Sequence, residues 1–393
     1  MPAQRILLAG GRLPGVVHFA RGLSRAGHRV FVAETVSRHL CRSTRAVERC
    51  FKIPSPNESQ EKYVDALIQI ISDEKIDLLI PTFEETFHIA QNLDAIRPHC
   101  SVFCEELPRL DILHDKWKFH QLLQEFGFQS PKATLLTPSD DQQKRLEDWL
   151  EEEGVKGFYL KPTYSRFSTG GRAFPNGLTD SSLLPDMSDR AWIAQEFLKG
   201  REFCTYSIAQ EGRLTAHAVY LLKFAFGGAA ISYKSVSHPV IDPWVEEFVR
   251  KYAFTGQISF DFIEKENGET LPLECNPRMT GGVHLLANVP EFPGAILSNA
   301  ENPVVVPKRR GQCVKPAMLI FGLLGIRSLR DAKDWAVNIA FYRDVHFRLT
   351  DPLLFFEQFL SFASFLLLRQ KYKNDDLREV MTRDIQWNGE TED

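Results

Sequence analysis

Short apolar runs alternate with helical periods over the first hundred residues. "RILLAG" and "HRVFVAE" flank a stretch of helical periodicity that ends at Gly27, and this order predicts a right-handed βαβ unit with parallel strands. A second helix, "EKYVDALIQIISDE", leads into the strand "IDLLIP", and the helical "TFEETFHIAQNL" precedes the short strand "SVFCE". Residues 1–112 are therefore predicted to form a doubly wound parallel-sheet α/β domain.

The pattern changes after residue 112. "HDKWKFHQLLQEFGF" predicts a helix that Asp115 caps and Gly127 ends. Short strands separated by turns follow, among them "GFYLKP", "AWIAQEFL", "GQISFDFIEK" and "TLPLECNP", and they predict an α+β domain over residues 113–300. Residues 301–393 are predicted to form a mostly helical region, with the polar tail "DIQWNGETED" frayed at its end.

Composition narrows the range of partners and surroundings. The chain is 44% hydrophobic and 25% charged with a net charge of -4, which is typical of a globular protein and offers no basic cluster for nucleic acid. Seven cysteines show neither disulfide nor metal spacing, so reduced thiols in the cytoplasm are expected. The apolar run before the first glycines is too short for a signal peptide.

One stretch, "LLFFEQFLSFASFLLL", is apolar nearly all round. It covers residues 353–368 and carries Glu357. A membrane-spanning helix needs about 20 apolar residues, so no span is predicted. A helix buried in a core or at a homodimer interface fits the composition. A contact with a membrane surface, a partner or an apolar substrate stays open.

The segment "SFDFIEKENGETLPLECNPR" places two acids face to face. Asn267-Gly268 predicts a type I′ hairpin turn, because such a turn needs positive φ at both central residues. Counting outward from that turn sets Asp261 opposite Glu274, and the two carboxylates would repel at about 5 Å. The apolar side chains of the hairpin are expected on its other face: Phe260, Phe262, Leu271, Leu273 and Cys275.

These acids could hold a metal ion. Alternation brings Asn276 and Arg278 to the face of Asp261 and Glu274, if the strand continues past the intervening proline. Two carboxylates and an amide oxygen suit Mg²⁺ or Mn²⁺. The alternative is a solvated hairpin whose acids both face water.

Two other stretches could bind a nucleotide. Lys161 ends a strand and precedes a small-residue loop, "STGG", whose backbone N–H groups could close on phosphate oxygens. In "AQEFLKGREF" the extended backbone of residues 195–198 could read a purine edge, and Glu202 could accept from ribose hydroxyls. A surface lysine beside a loop and a plain hairpin are the alternatives.

Taken together, the motifs resemble the ATP-grasp superfamily. "ECNPRMTGG" has the form E-x-N-x-R-x-x-G-G, beside a strand carrying "FDF". "HDKWKFHQLLQEFGFQSPKA", "YLKP", "STGG" and "QEFLKGREF" stand in the family's order, and the likeness covers about residues 4–290. It implies a pre-ATP-grasp α/β domain, a two-part ATP-grasp fold and the helical C-terminal region.

The resemblance also implies roles for individual residues. Lys116 and Lys161 would contact ATP phosphates, and Arg278, with Lys161, would serve catalysis at the transferred phosphoryl group. The lid over the γ-phosphate would comprise Ser165, Ser168, Thr169, Gly170 and Gly171. Adenine and ribose would be held by Gln195, Glu196, Phe197, Leu198 and Glu202. Two Mg²⁺ ions would be bound by Asp261, Glu274 and Asn276. Arg166 and Phe167 are bulkier than the residues usual in such a lid.

The activity implied is an ADP-forming ligase that activates a small carboxylate, such as an amino acid, for attack by an amine. Glu84 or Glu85, just past a strand end, could bind that amine or could merely begin a helix. Three alternatives stay open: an ATP-binding protein without chemistry, a ligase acting on a protein tail, and a nicotinamide-dependent oxidoreductase with Glu34 on the ribose. The glycines near residue 10 do not fit the G-x-G-x-x-G pattern with which a nicotinamide-dependent oxidoreductase binds its dinucleotide.

Overall fold

The protein is described here from a computed structural model. The described residues are 2–166, 169–179, 181–226, 229–297, 302–308, 311–373 and 376–389.

The N-terminal region forms a five-stranded parallel sheet in the order β3-β2-β1-β4-β5. Its elements are β1 (Arg5–Ala9), α1 (Pro14–Arg25), β2 (Arg29–Glu34), β3 (Arg49–Lys52), α2 (Gln60–Asp73), β4 (Leu78–Pro81), α3 (Glu85–Gln91), α4 (Leu93–Ile96) and β5 (Ser101–Val102). Strand β1 is buried on both faces, as expected of a sheet with helices on either side. The predicted doubly wound sheet is confirmed. Strand β3 was not predicted, because "RCFK" is short and polar at both ends.

A four-stranded antiparallel sheet, ordered β6-β9-β7-β8, follows. The elements of this part are α5 (Leu107–His114), α6 (Lys116–Glu125), β6 (Ala133–Leu136), α7 (Gln142–Glu152), β7 (Phe158–Pro162), β8 (Arg172–Phe174) and β9 (Trp192–Glu196). Asp115 caps α6 by accepting from the backbone N–H groups of Trp117 and Lys118 at 2.8 and 3.0 Å. The predicted start of this helix is therefore confirmed.

A seven-stranded sheet, ordered β16-β15-β10-β11-β14-β17-β18, forms the largest layer. The elements of this part of the chain are β10 (Arg201–Gln210), β11 (Arg213–Leu221), β12 (Ala225–Phe226), β13 (Ala229–Ala230), β14 (Ser232–Val236), α8 (Ile241–Tyr252), β15 (Gly256–Glu264), β16 (Thr270–Asn276), α9 (Val283–Leu286) and α10 (Gly294–Leu297). Strands β12 and β13 pair with each other in a separate two-stranded sheet. Aromatic side chains of α8 pack under β15, where Phe248 lies 5.0 Å from Phe260 between ring centroids. This core fixes the strand pair that carries the predicted metal ligands.

The C-terminal region is largely helical, as predicted, but it also adds two strands to the seven-stranded sheet. Its elements are β17 (Gly311–Cys313), α11 (Lys315–Ile320), α12 (Leu329–Phe341), β18 (Arg343–Asp344), α13 (Leu353–Tyr372) and α14 (Leu377–Val380). Strands of three and two residues carry too little pattern to be predicted. This region is therefore joined to the central sheet through backbone pairing.

Helix α13 contains the apolar stretch, and it is not a core helix. Only Leu354, Glu357, Ser361 and Phe365 of its side chains are buried. Within the described residues, α13 alone is long and apolar enough to cross a bilayer, and 22% of its apolar window is buried. The expectation of a helix enclosed in a core is wrong for this chain, since most of its leucines and phenylalanines face outward.

The polar tail, in contrast to α13, buries its apolar side chains. Ile385 and Trp387 are 2% and 4% exposed, and the segment after α14 lies against the N-terminal region. We call residues 381–389 the C-terminal strap. The expectation of a frayed tail is wrong over this segment, because its polar groups find partners in the fold.

Candidate active site

The hairpin between β15 and β16 brings Asp261 opposite Glu274, as the sequence predicts. The turn itself lies one residue earlier than predicted. The N–H of Gly268 donates to the carbonyl of Lys265 at 3.0 Å, and Gly268 has a φ of 86°. A bulge at Leu273 then restores the register, so that two departures from the simple count cancel.

The bulge also changes which side chains share a face. Leu271 pairs with Ile263 and therefore lies on the face of the two acids, not on the face of the phenylalanines. Glu202, which pairs with Ile263 on the other side, joins the same face. The predicted apolar face is thus wrong for Leu271 and holds for Phe260, Phe262 and Cys275, which pack in one core cluster.

The oxygen atoms of this face suit a hard cation. The amide nitrogen of Asn276 lies 3.4 Å from Asp261 Oδ2, so its side chain adjoins the acid pair. Burial, and after it the facing Glu274 carboxylate, raise the pKa of Asp261. A divalent cation would relieve this repulsion. The described residues contain no cluster of three His, Cys, Asp or Glu side chains, so the amide of Asn276 would have to complete the donor set.

Two buried lysines, one on β7 and one at the start of α6, approach the same acids. Lys161, on β7, has its Nζ 3.8 Å from Glu274 Oε2. Lys116 begins α6, and its Nζ donates to the carbonyl of Ser165 at 3.1 Å. Burial lowers the pKa of Lys116 to about 8, against the charge of Glu274. Burial alone would raise the pKa of Glu274, but both lysines outweigh it and lower that pKa. The cleft between the two sheets therefore pairs positive with negative charge.

The predicted lid follows β7. Thr169 is buried and donates both its backbone N–H and its hydroxyl to the carbonyl of Arg166, at 2.9 and 2.7 Å. Gly170 has a φ of 74°, and a Cβ at Gly171 would stand 2.4 Å from the Tyr159 hydroxyl. Gly170 therefore suits a left-handed backbone, while Gly171 leaves room for the Tyr159 ring. Ser165 precedes this turn, and Ser168 lies outside the described residues.

The predicted adenine segment leaves the sheet at the end of β9. Gln195 pairs on both sides, with Ala133 and Tyr159, so its backbone is committed to the sheet. Glu196 and Phe197 donate their backbone N–H groups to Lys132 and Gly157, both at 2.8 Å. Among the described hydrogen bonds, none uses the backbone of Leu198, which makes Leu198 the best-placed residue of the four for reading a base edge.

Arg278 is buried beside the strand ends and is held by an acid of the N-terminal region. Its Nη1 lies 3.2 Å from Glu84 Oε1, and its guanidinium stands 5.2 Å from the Phe83 ring centroid. Burial alone would raise the pKa of Glu84, but Arg166 and Arg278 lower it to about 2. Glu84 is therefore occupied by arginines, and the suggestion that it binds an amine is not supported by its contacts.

Arg166 connects the lid with the C-terminal strap. Its Nε lies 3.0 Å from Glu84 Oε2, and its Nη2 donates to the carbonyl of Trp387 at 2.6 Å and to Asn388 Oδ1 at 3.0 Å. Trp387 stacks over Phe87 and donates its backbone N–H to Glu84 at 3.3 Å. The long side chain of Arg166 is thus explained by its ion pair with Glu84 and its hydrogen bonds to the C-terminal strap, which short motifs do not reveal.

The strap also covers the carboxyl edge of the parallel sheet. Arg12 pairs with Glu34 at 2.5 Å and with Asp384 at 2.7 Å, and Gly11 donates its N–H to Glu34 at 2.8 Å. Because the Glu34 carboxylate is held by Gly11 and Arg12 of the loop after β1, it is not available for a nicotinamide ribose. Glu85 Oε1 accepts from the Phe83 N–H at 3.0 Å, and burial, followed by the charge of Glu34, raises the pKa of Glu85 to about 7.

Comparison with protein families identifies the domain that carries most of these residues. Residues 113–282 match the ATP-grasp domain. This match identifies residues 113–282 as an ATP-grasp domain. A search of curated proteins gives no match.

Solved ATP-grasp structures share the fold at low sequence identity. N5-carboxyaminoimidazole synthetase from Staphylococcus aureus, complexed with ADP, has a TM-score of 0.62 and 13% identity, over 82% of this chain and 85% of that one. L-amino acid ligase from Bacillus licheniformis gives 0.58 and 16%, over 80% and 81%. The biotin carboxylase domain of Hydrogenobacter thermophilus 2-oxoglutarate carboxylase gives 0.60 and 11%, over 78% and 72%. The predicted fold class is confirmed.

Sequence reasoning missed three members of this candidate site: Arg166, Glu84 as the partner of Arg278, and Trp387. The first was noted only for its size and the second was considered for another purpose. A tryptophan within an otherwise polar tail was the one signal available for the strap. Its burial depends on contacts with residues about 300 positions earlier, such as Glu84, which no local pattern encodes.

Proposed function

We propose that the protein is an ATP-dependent, ADP-forming ligase that activates a small carboxylate as an acyl phosphate for attack by an amine. The observation that carries this proposal is the meeting of Lys116, from the start of α6, and Lys161, from β7, with Asp261 and Glu274 of the β15–β16 hairpin, with Arg278 at their edge. A binding protein without chemistry would have little use for an arginine buried beside paired acids.

The cleft fits a magnesium nucleotide. Asp261, Glu274 and Asn276 would hold Mg²⁺, of which the family resemblance suggests two ions, and bound Mg²⁺ would neutralise charge on the phosphates. Lys116 and Lys161 would contact phosphate oxygens, while Thr169, Gly170 and Gly171 would close over the γ-phosphate. Leu198 would read the adenine edge through its backbone, and Glu202 would accept from the ribose.

The proposed reaction has two steps. A carboxylate oxygen of the substrate attacks the γ-phosphorus of ATP, the bond to the β-phosphate oxygen breaks, and ADP leaves. The amine nitrogen then attacks the acyl carbon, the carbon–oxygen bond breaks, and phosphate leaves as the nitrogen loses a proton. Arg278 would stabilise negative charge in both steps, and Glu84 would hold its guanidinium in place.

The acceptor side of the site is proposed to lie at the carboxyl edge of the parallel sheet, where open α/β sheets bind ligands. The C-terminal strap fills part of that edge through Asp384 and Trp387. With the strap at this edge, we propose small substrates, such as amino acids, rather than a protein tail.

The test is a phosphate-release screen over pairs of carboxylates and amines with ATP and Mg²⁺. We expect Glu274→Gln to lose at least about 100-fold in turnover while staying folded, because it removes one of the two facing carboxylates. Glu269→Gln is the matched control: Glu269 lies on the same hairpin, is partly exposed, and its carboxylate forms an ion pair with Lys265 rather than with the facing acids. Removal of Mg²⁺ with a chelator should abolish turnover in the wild type.

Equal turnover in the two variants would overturn the proposal. ATP binding without phosphate release on any pair would favour a binding protein. Release only with a peptide acceptor would favour a ligase of protein tails.

A further inference from the structure

Exposed large apolar side chains are concentrated in one part of the chain. Within the described residues, fifteen of them lie between Leu319 and Leu367, and the other four are Leu183, Val240, Val304 and Val306. Apolar residues scattered singly over a surface are ordinary, whereas a concentration such as this one marks a contact surface.

Helix α13 carries the largest share of these exposed apolar side chains, and its buried stripe contains polar residues. Its buried stripe includes the polar Glu357 and Ser361, and Glu357 Oε2 accepts from the Ser43 hydroxyl at 2.9 Å. Its outward side carries phenylalanine and leucine: Phe356 is 63% exposed, Phe359 51% and Leu367 66%. A surface helix in contact with water has the reverse arrangement.

The charges beside this surface have one sign. Between residues 353 and 373 the only acid is Glu357, which is buried, while Arg369, Lys371 and Lys373 follow the apolar turns. Residues 311–373 contain nine Lys or Arg and five Asp or Glu, although the whole chain has a net charge of -4. This part of the molecule is therefore basic against an acidic remainder.

We propose that α13 lies flat on the surface of a lipid bilayer that contains anionic lipid. Its phenylalanines and leucines would enter the boundary between head groups and acyl chains, and the basic residues after them would meet the lipid charge. The helix would not cross the bilayer, because its Leu354–Phe365 side is fixed to the residues 40–43 turn and to α14. Crossing would carry Glu357 into hydrocarbon.

Charge also argues against a second copy of this chain as the partner that covers the exposed surface of α13. Two α13 surfaces brought together would place Lys371 and Lys373 of both chains at one interface, and this helix offers no exposed acid to receive them. An anionic bilayer would provide an apolar layer for the phenylalanines and leucines and negative charge for the lysines at once.

The test is co-sedimentation of the full chain with vesicles of phosphatidylcholine alone or with about one third phosphatidylglycerol. We expect binding to the mixed vesicles that is at least about tenfold tighter than to phosphatidylcholine and that weakens as salt rises. Phe356→Ser with Phe359→Ser should weaken binding at least about tenfold, and Lys371→Glu with Lys373→Glu should remove the preference for the anionic lipid. Leu183→Ser with Val240→Ser, equally apolar sites elsewhere, should leave binding unchanged.

Sedimentation velocity without lipid completes the experiment. A chain that dimerises at micromolar concentration through α13, loses the dimer in the Phe356→Ser, Phe359→Ser variant and ignores both kinds of vesicle would overturn the proposal in favour of a second copy. Absence of vesicle binding by a monomeric chain, or equal binding by the α13 and control variants, would also overturn it. None of these results depends on ligase activity.

Discussion

The most apolar segment of the C-terminal region lies on the outside of the protein, and its polar tail lies on the inside. Helix α13 leaves Phe356 63% exposed, whereas Trp387 in the strap is 4% exposed. Trp387 can be buried because its backbone polar groups have partners: its carbonyl accepts from Arg166 and its N–H donates to Glu84. The helix is exposed because the surface beneath it offers polar partners, such as Ser43, to a narrow stripe only.

The difference shows that burial follows available partners as well as hydropathy. A polar backbone can be buried when its N–H and C=O groups are satisfied, since the cost of burial comes from unpaired groups. An apolar helix can remain exposed when a single stripe docks it. The two segments therefore depend on different interactions, and mutations should separate them.

The largest effect is expected in the strap. Trp387→Ala should lower the free energy of unfolding by about 3–5 kcal/mol, because it removes a buried ring that stacks over Phe87. Urea denaturation would measure this. Trp387→Phe is the control and should recover most of the loss, since it keeps the ring contact and gives up only the indole N–H. A loss below 1 kcal/mol for the alanine variant would mean that the strap does not contribute to the core.

A smaller effect is expected at the polar partner of the strap. Arg166→Gln should cost about 2 kcal/mol, because Glu84 loses one of its two arginines and the Trp387 carbonyl loses a donor. Arg29→Gln, which breaks the exposed pair with Glu48, should cost less than about 1 kcal/mol in the same urea titration. Equal costs for the two variants would contradict the strap's dependence on buried polar contacts.

The smallest effect is expected on the outside of α13. Phe356→Ser should change the free energy of unfolding by no more than about 0.5 kcal/mol, because its side chain already faces solvent. Phe365→Ser, on the buried stripe of the same helix, should cost about 3 kcal/mol. A large loss for Phe356→Ser would show that the outward surface is covered within the protein itself.

Much of the fold could be predicted from sequence because its signals are local. The βαβ pattern and the Asp115 cap each depend on residues close together in the chain, and the structure confirms them. The short strands β3, β17 and β18 could not be predicted, because their pairing is decided by the sheet edge they meet.

The candidate site likewise combines features that the sequence could predict with features that it could not. Asp261 and Glu274 face each other as predicted, although this depends on a turn displaced by one residue and a compensating bulge at Leu273. Leu271 was assigned to the wrong face because a period of two cannot anticipate a bulge. Glu84 was read as a possible amine ligand, since sequence alone could not place Arg166 and Arg278 on either side of it.

The strap also has a consequence for how the protein is made. Arg12 pairs with Asp384, a residue that lies 372 positions later in the chain. At about 5–20 residues per second, a ribosome needs about 20–75 seconds to cover that distance. Throughout that interval Arg12 of the nascent N-terminal region can pair with Glu34 but not with Asp384, so this edge of the sheet is completed only once residue 384 has been made.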